Sequence, residues 1–427
     1  MKVIRHPDRK DWPVLLSRPV TEISRLEKPV RKVLDRVRKN GDAAVRKFTR
    51  EFDGVALRKF SVKIKEVKAA KLSLSESLKE AIKLAAANIE RFHHAQLHGP
   101  EEVETMPGVK CWRRAIPIEK IGLYIPGGTA PLFSTVLMLG IPAKIAGCRE
   151  VVLCSPPDKD GNLNPAILYA ADLVGITSIF KVGGVQAIAA MSYGTNTIPK
   201  VDKIFGPGNQ YVTLAKILVQ QEGVAIDMPA GPSEVCVLAD DTSHPSFVAA
   251  DLLSQAEHGV DSQVLLISDS ERMISRVLDE LDGQLPLLAR RDIAGAALAN
   301  SHAILVKDTR EAMEMVNTYA PEHLILSCAR ADERVLEVVN AGSVFIGDYS
   351  PESAGDYASG TNHTLPTNGN ARAYSGVSVD SFVRKVTFQQ ISLEGLRSIG
   401  PAIVSMAEAE GLQAHAEAVR IRLTLGR

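Results

Sequence analysis

Short apolar runs and helical patterns alternate along the chain from Ile121 onwards. The runs are long enough for buried strands and too short for buried helices. They predict strands at Ile121–Ile125, Val151–Cys154, Ile179–Val182 and Lys203–Phe205. The patterns between and after them predict helices that end at Ala146 or span Pro165–Leu173, Val185–Met191 and Gln210–Gln221. This alternation is typical of an α/β fold with a parallel, doubly wound sheet.

A second array of the same kind follows Ile226. The run Val235–Ala239 predicts a buried strand, and Phe247–His258 predicts a helix with Ser243 as its N-cap. Further strands are predicted at Gln263–Ser268, Ala303–Val306 and Ser343–Ile346, with helices at Ser270–Leu281 and Arg290–Ala299. The chain therefore holds two strand–helix arrays.

Helical patterns flank both arrays. Ser24–Asp53 predicts two basic amphipathic helices, whose interleaved carboxylates favour a solvated face over a phosphate or membrane surface. Ser75–His98 predicts a long helix, on which the adjacent His93 and His94 diverge and could not easily share one metal ion. The tail, Leu393–Arg427, is also predicted to be helical. A helical tail more often docks on the rest of the protein than takes part in catalysis.

Composition narrows the class of protein. The 427 residues are 45% apolar and 23% charged, and Lys plus Arg equals Asp plus Glu at 50 each. This balance favours neither a nucleic-acid-binding face nor a membrane surface. Met1–Asp11 lacks the apolar segment of a signal peptide. Five scattered cysteines without a C-x-x-C spacing favour the reducing cytosol over a disulfide framework.

Three glycine-containing turns follow predicted strands and open helices. They are Pro126–Thr129, Gly183-Gly184 and Gly206–Asn209. Such turns lie at the carboxyl edge of a parallel sheet, where ligands bind and helix N-termini favour phosphate. Tight turns are also ordinary in any α/β protein, so the three turns are consistent either with a nucleotide or phosphorylated ligand or with a purely structural role. The G-x-G-x-x-G fingerprint is absent, which argues against an ordinary Rossmann dinucleotide site.

Two short motifs carry candidate chemistry. Gln255 and His258 are three residues apart on the predicted helix and share one face, which suits half of a divalent-metal site or simply a polar helix end. Glu322 and His323 follow the helix-breaking Pro321, so both can face a pocket and carry protons. The alternative is a surface Glu beside a His that caps the preceding helix.

Gly347–Gly369 is predicted to be a long irregular loop, and such loops are usually functional or disordered. Its tyrosines, carboxylates and His363 favour ordered binding.

Together these stretches resemble one family, the histidinol dehydrogenases. The matching motifs are LYIPGGTAPLFSTVLM, VGGVQAIAAMSYGT, KVDKIFGPGNQYV, IDMPAGPSEV, DLLSQAEHG, APEHL, GDYSPESAGDYASGTNHTLPT and the tail element Glu410-x-Leu412-x-Ala414-His415. They run from about Ile121 to His415 in the family's order and spacing.

The resemblance implies an enzyme of histidine biosynthesis that oxidises L-histidinol to L-histidine through L-histidinaldehyde, in two NAD-dependent steps. It also implies one Zn²⁺ per subunit and a cytoplasmic homodimer with shared active sites. The implied fold has two Rossmann-like, doubly wound α/β domains with helical additions. The larger domain, at 23–115 and 235–375, carries the zinc and substrate site, and the NAD-binding domain spans 116–234. An N-terminal arm at 1–22 precedes them, and a helical tail at 376–427, exchanged in the dimer, follows them.

Site residues follow from the same resemblance. The implied zinc ligands, which also bind substrate, are Gln255, His258, Asp356 and His415. The implied acid–base pair is Glu322 and His323. Further substrate contacts are Ser233, His323 and Glu410, with His363 as a weaker candidate. The implied NAD contacts are Tyr124, Gln186 and Asn209.

The residue types suit this chemistry. Two nitrogens and two oxygens leave zinc able to accept the amine and imidazole of histidinol. His323 suits the base that takes the hydroxyl proton, and Glu322 suits the base that activates water for the aldehyde step. Alternatives are a related dehydrogenase acting on another diol or amino alcohol, a thiol-dependent aldehyde dehydrogenase and a zinc hydrolase. Cys148, Cys154 and Cys236 lie in or beside predicted strands, which favours inert thiols.

Overall fold

The structure is a computed structural model that describes residues 1–18, 23–127, 131–229 and 231–425. The predicted arm 1–22 and the predicted turn Pro126–Thr129 therefore lie partly outside the described residues.

The strands, in chain order, are β1 Lys2–Arg5, β2 Glu102–Met106, β3 Val109–Pro117, β4 Lys120–Tyr124, β5 Glu150–Ser155, β6 Ser178–Lys181, β7 Lys203–Phe205, β8 Ala225–Ile226, β9 Glu234–Ala239, β10 Gln263–Ser268, β11 His302–Leu305, β12 His323–Ser327, β13 Ser343–Ile346 and β14 Val383–Ile391.

The helices are α1 Trp12–Leu15, α2 Ile23–Asn40, α3 Asp42–Phe52, α4 Ile64–Ser73, α5 Glu76–His94, α6 Phe133–Ala146, α7 Pro165–Leu173, α8 Gly184–Tyr193, α9 Gln210–Gln220, α10 Pro245–Ala256, α11 Glu271–Gln284, α12 Arg291–Ala299, α13 Thr309–Tyr319, α14 Ala331–Arg334, α15 Glu352–Tyr357, α16 Leu393–Ala409 and α17 Gln413–Leu425.

Two parallel sheets form the centre of the fold. A five-stranded sheet has the order β6-β5-β4-β7-β8, and a six-stranded sheet has the order β1-β11-β10-β9-β12-β13. Every residue of β9 and β10 is buried, because helices cover both faces of the sheet. Strands buried on both faces are continuous apolar runs, which is why the sequence pattern predicted them. The α/β class with parallel sheets is confirmed.

The N-terminal helices pack differently from the prediction that placed 23–115 in the larger domain. Helices α2 and α3 share an apolar core with α8 and α9 on one face of the five-stranded sheet. Helices α4 and α5 pack against α7 and α6 on its other face. The reason is that α2, α3 and α5 are amphipathic, so each buries an apolar stripe on the sheet that follows it in sequence.

The tail predicted as helical from 376 contains a strand before its helices. β14 pairs in antiparallel register with β3, from Val383 opposite Pro117 to Ile391 opposite Val109, and β2 completes a three-stranded sheet. The sequence of β14 includes β-branched Val383, Val386 and Thr387, which favour a half-exposed strand. This third sheet was not predicted from the sequence.

Two predicted helices have different ends. α10 begins at Pro245 with His244 as its N-cap, and it ends at Ala256, so the predicted N-cap Ser243 and His258 both lie outside it. The Ser243 hydroxyl instead donates to the carbonyl of Ser327 and accepts the N–H of Asp240. α5 ends at His94 rather than His98, and Ser75 caps its start.

No helix in the described part of the chain is long and apolar enough to cross a membrane.

Candidate active site

Glu322 and His323 lie at the amino end of β12, between β9 and β13. α13 ends at Tyr319, Ala320 adopts a left-handed conformation with φ of 54°, and His323 begins the strand. The predicted turn or strand start is confirmed. Gly342 allows β13 to approach closely here, since a Cβ at that position would lie 2.5 Å from the Glu322 carbonyl oxygen.

The backbone of Glu234, the first residue of β9, holds both side chains. Its N–H donates to Glu322 Oε2 at 2.8 Å, and its carbonyl oxygen lies 3.1 Å from His323 Nδ1. When Nδ1 carries the proton, it donates to that carbonyl. The other ring nitrogen, Nε2, then faces Asp356 Oδ1 at 3.6 Å. Glu322 and His323 are both nearly fully buried. Neither is therefore a surface residue or a simple helix cap.

Gln255 is buried at the end of α10, which returns to the amino ends of the strands. Its Nε2 donates to the Glu234 carbonyl at 3.0 Å and to Glu322 Oε2 at 3.3 Å. Gln255 Oε1 is buried and finds no hydrogen-bond partner in the described residues. The amide contacts therefore leave an oxygen lone pair available to a ligand.

Asp356 and Glu352 enter the site from α15, within the segment predicted to be an irregular loop. Ligand atoms of His323, Glu352 and Asp356 lie within 4.8 Å of one another. Asp356 Oδ1, Glu352 Oε2 and His323 Nε2 are buried, and none finds a hydrogen-bond partner within the described ranges. Buried polar atoms without partners are rare in native proteins and require an explanation such as a bound ion or ligand.

Burial and charge shift the proton affinities of this cluster. Burial raises the pKa of Glu322 to about 8, although His323 opposes the shift. Burial alone would lower the pKa of His323, but Glu352, Glu322 and Asp356 together raise it to about 10. Asp356 has a lowered pKa because its attraction to His323, His363 and His258 outweighs the effect of its burial. The raised pKa values of Glu322 and His323 both favour the protonated side chains when no cation is near, and a cation bound among these carboxylates would lower both pKa values, as both residues would need in order to accept protons.

His258 and His363 both interact electrostatically with Asp356. His258 follows α10 and is exposed, and its backbone N–H donates to the Gln255 carbonyl at 3.3 Å. The predicted helix does not reach His258, because α10 ends at Ala256; a turn closed by this hydrogen bond relates Gln255 to His258 instead. His363 Nδ1 lies 3.0 Å from the Asp356 carbonyl, and its Nε2 lies 3.1 Å from Thr135 Oγ1 in the first turn of α6. His363 thus links the two parallel-sheet units at the site.

Glu410 and His415 are exposed on the tail. In the described residues of one chain, the cluster of possible metal ligands consists of His323, Glu352 and Asp356 and does not include His415. Helices α16 and α17 pack chiefly against each other, and α16 contacts β14. One chain thus brings Gln255, Glu322, His323 and Asp356 together in the pocket, whereas Glu410 and His415 are exposed on its tail.

The predicted cofactor residues lie at the carboxyl edge of the five-stranded sheet. The Tyr124 hydroxyl, at the end of β4, accepts the N–H of Gly184 at 3.1 Å, where α8 begins. Gln186 is buried two residues further on, and its Nε2 donates to Asp53 Oδ2 at 3.2 Å. Gln186 Oε1 is a further buried acceptor without a partner in the described parts of the chain.

Asn209 and Ser233 also flank strand ends. Asn209 is the N-cap of α9, and its side-chain oxygen accepts the N–H groups of Tyr211 and Val212 at 3.1 and 3.2 Å. Its amide NH₂ stays available to a ligand. Ser233 is half-buried directly before β9, and its carbonyl accepts the N–H of Gln263.

The cysteines are all free. Cys154 and Cys236 are buried, and burial raises the pKa of each thiol strongly. Burial also raises the pKa of Cys148 and Cys328 to about 11. Thiols in this state are poor nucleophiles, so the expectation of inert thiols at Cys148, Cys154 and Cys236 is supported.

Glu352 and Asp53 were not predicted from the sequence. Both are carboxylates in polar local sequence, where a solvated position is the ordinary expectation. The one available signal for Glu352 was its four-residue spacing to Asp356, which places both on one face of a helix.

Comparison with known proteins identifies relatives over the whole chain. Residues 16–423 match the sequence family described as histidinol dehydrogenase. A histidinol dehydrogenase from Bacteroides fragilis (strain YCH46) is 61% identical over 423 residues, which cover 99% of both chains. The crystal structure of a histidinol dehydrogenase from Elizabethkingia anophelis has a TM-score of 0.97 and 53% identity, and covers 99% of this chain and 98% of that one.

An acetylating aldehyde dehydrogenase from Geobacillus thermoglucosidasius is similar in fold alone. It has a TM-score of 0.50 and 14% identity, covering 89% of this chain and 94% of that one.

Proposed function

The chain belongs to the histidinol dehydrogenase family, and from that premise we propose that Glu322 and His323 serve both oxidation steps in the pocket at the amino ends of β9 and β12. The enzyme oxidises L-histidinol to L-histidine through L-histidinaldehyde. The observation that carries the assignment is the convergence of buried, unpartnered polar atoms on one pocket that also contains this acid–base pair.

Zinc fits the donor set of this pocket. Gln255 Oε1 and Asp356 Oδ1 are buried oxygens without partners in the described chain, and His258 lies close enough to Asp356 for their charges to interact. We propose that these three residues and His415 of a second subunit hold one Zn²⁺ per active site. Two nitrogens and two oxygens are a suitable set for zinc. When bound, zinc supplies a Lewis-acidic anchor for the amine and imidazole of histidinol.

The chain's own residues account for the proton movements. In the first step, His323 Nε2 takes the hydroxyl proton as the carbinol carbon loses its hydride. In the second, Glu322 takes a proton from the water that adds to the aldehyde, and a second hydride leaves the hydrated carbon. NAD, when bound, would supply the acceptor for the hydride of each step. Ser233, at the start of β9, and Glu410 are proposed to contact the substrate.

The NAD site is proposed at the carboxyl edge of the five-stranded sheet, within 116–234. The free acceptor of Gln186, the free NH₂ of Asn209 and the Tyr124 hydroxyl support this assignment. Ligands bind at this edge of open parallel sheets. His363, which connects α6 to Asp356, brings this edge close to the acid–base pair.

A homodimer with an exchanged tail is proposed from the exposure of Glu410 and His415. Several apolar side chains on the tail are also exposed. They are Met406, Leu412, Ile421 and Leu425. A second copy of this chain would cover these side chains and deliver Glu410 and His415 to the pocket. The free cysteines support the further proposal that the enzyme works in the cytoplasm.

The test is the stoichiometry of NAD reduction with histidinol, followed at 340 nm. Two NADH per histidinol consumed, loss of activity on chelation and recovery with Zn²⁺ are expected. One NADH per histidinol, with the aldehyde released, would contradict catalysis of both steps. Full activity in strong chelator, with no metal detectable in the protein, would contradict the zinc site.

A further inference from the structure

Arg18, in the N-terminal arm, forms a buried ion pair with Glu234. Its Nε and Nη2 donate to Glu234 Oε1 at 3.0 Å and Oε2 at 2.8 Å. The two side chains are 11% and 1% exposed. This is a bidentate geometry, which an Arg–carboxylate pair forms and a Lys cannot reproduce.

The same guanidinium also holds the end of α13. Nη2 donates to the Tyr319 carbonyl at 2.8 Å and lies 3.4 Å from the Ala320 carbonyl. The guanidinium carbon lies 3.8 Å from the centre of the Tyr319 ring. The Tyr319 hydroxyl is fixed in turn by Gln263 Oε1 at 2.8 Å. Arg18 thus connects α13 to the start of β9.

These two attachment points flank the acid–base pair. Glu234 contributes the N–H that fixes Glu322 and the carbonyl that faces His323. Ala320 begins the turn that leads through Pro321 to both residues. A shift of either point would displace the Glu322 carboxylate or the His323 ring relative to the substrate.

We propose that Arg18 is a positioning residue for Glu322 and His323. It contributes no atom to the reaction; it holds the Glu234 backbone and the α13–β12 turn in one geometry. The proposal rests on the function proposed above for Glu322 and His323. Displacements of about 1 Å at a catalytic group can lower the rate by about 10²-fold, so we expect Arg18→Met to lower kcat by about 10- to 100-fold with little change in either KM.

The experiment uses the purified holoenzyme, with kcat expressed per folded protein at the assay temperature. Arg18→Met is compared with Arg18→Lys, which retains charge but loses the bidentate contact and should give an intermediate kcat. Arg38→Met is the matched control, because Arg38 also pairs with a glutamate, Glu222, and lies over an aromatic ring, 4.3 Å from Tyr193. It should leave kcat unchanged. Millimolar guanidinium should partly restore Arg18→Ala.

A double variant separates positioning from simple stabilisation. If Arg18 acts through Glu322, the kcat losses of Arg18→Met and Glu322→Gln should be less than multiplicative in the double variant. Multiplicative losses, or an unchanged kcat per folded Arg18→Met protein with only a lower melting temperature, would overturn the proposal. If Arg18→Met does not fold, a wild-type kcat in Arg18→Lys overturns it equally.

The outcomes also distinguish the role of Arg18 from the proposed role of Glu322, on which it rests. A fully active Glu322→Gln would remove the proposed role of Glu322, whatever Arg18 does. An impaired Glu322→Gln beside a folded, fully active Arg18→Met would leave that role intact and refute positioning by Arg18 alone.

Discussion

Lys216 and Asp227 hold the backbone of Gly206 between them. Lys216 Nζ donates to the Gly206 carbonyl and Asp227 Oδ2 accepts the Gly206 N–H, both at 2.8 Å, and the two side chains form a buried ion pair. Gly206 has φ of 118°, and a Cβ there would lie 2.0 Å from the Tyr124 carbonyl oxygen. The pair therefore fixes the turn that leads to Asn209, at the edge proposed for NAD.

Lys216→Met should loosen this turn and leave Asp227 buried without its partner. Breaking a buried pair in this way costs about 3–5 kcal/mol of unfolding free energy. We also expect KM for NAD to rise on the order of tenfold, with KM for histidinol nearly unchanged. Urea unfolding and steady-state kinetics measure both effects. Lys71→Met, which breaks the half-exposed pair with Asp172, should cost less than about 1 kcal/mol. An unaltered KM for NAD in folded Lys216→Met would refute the role of this turn.

Glu322→Gln and His323→Asn should affect the two half-reactions differently. Glu322→Gln keeps an acceptor for the Glu234 N–H but loses the base, so oxidation of histidinaldehyde should fall more than oxidation of histidinol. His323→Asn should slow the alcohol step at least as much. Losses of general-base catalysis are about 10²–10⁴-fold. Single-turnover rates with each substrate measure the two steps, with the exposed Glu333→Gln as control. Equal, small losses in both steps would contradict the assigned roles.

Asn209 has a structural role that a cofactor test must separate from binding. Asn209→Ala removes both the cap of α9 and the NH₂ group, whereas Asn209→Ser keeps a capping oxygen. We expect both variants to raise KM for NAD, and only Asn209→Ala to lose about 0.5–2 kcal/mol of stability. If Asn209→Ser binds NAD as the wild type does, Asn209 serves the helix alone.

Asp251 should make the free energy of unfolding depend on pH. Burial raises its pKa to about 7, against an opposing hydrogen bond from the Glu352 N–H, whereas the ordinary value is 3.8. Between these values the folded state holds a proton that the unfolded state has lost, so the free energy of unfolding falls as pH rises through this window. Asp251→Asn cannot ionise. Its stability relative to the wild type should therefore increase from about pH 4.5 to pH 7 and then level off.

The control for that measurement is Asp241→Asn. A hydrogen bond from the Ser270 hydroxyl lowers the pKa of Asp241, so its window lies below 3.8. The difference from the wild type should then stay constant above about pH 4.5. Parallel stability curves for Asp251→Asn and the wild type across the whole range would show that Asp251 titrates normally.

The parts of the fold that the sequence predicted are those with a local signal. β9 and β10 are continuous apolar runs because helices bury both of their faces, and the α10 pattern needed correction only at its ends. β3 and β14 carry charged residues such as Arg113 and Lys385, and each is stabilised by pairing with a segment far along the chain. No local pattern contains that information, so the three-stranded sheet was missed.

The candidate site shows the same division. Pro321 marked the break that places Glu322 and His323 at a strand start, and this is visible in the sequence. The burial of Glu352 depends on α15 packing against α10, and the buried environment of Arg18 depends on its contact with Glu234. Both features depend on tertiary contacts, which no local sequence pattern contains. The ligand set of Asp356 and His415 came from a family resemblance, not from spacing.

The last prediction concerns which chain supplies His415. His415 and Glu410 are exposed in one chain, while Gln255 and Asp356 are buried together in its pocket. If the tail is exchanged, each active site combines Glu322 of one chain with His415 of the other. Co-expression of Glu322→Gln and His415→Ala chains then gives a heterodimer in which one site carries both defects and the other carries neither.

Such a heterodimer, purified by two affinity tags, should show about half the activity of the wild-type dimer per mole, although each parent homodimer is inactive. If His415 instead serves its own chain, each site carries one defect and the heterodimer is inactive. Zinc content gives a second readout, because the intact mixed site should bind one ion per heterodimer where the His415→Ala parent binds weakly. A stable heterodimer without activity and without recovered zinc would show that the tail folds back on its own chain.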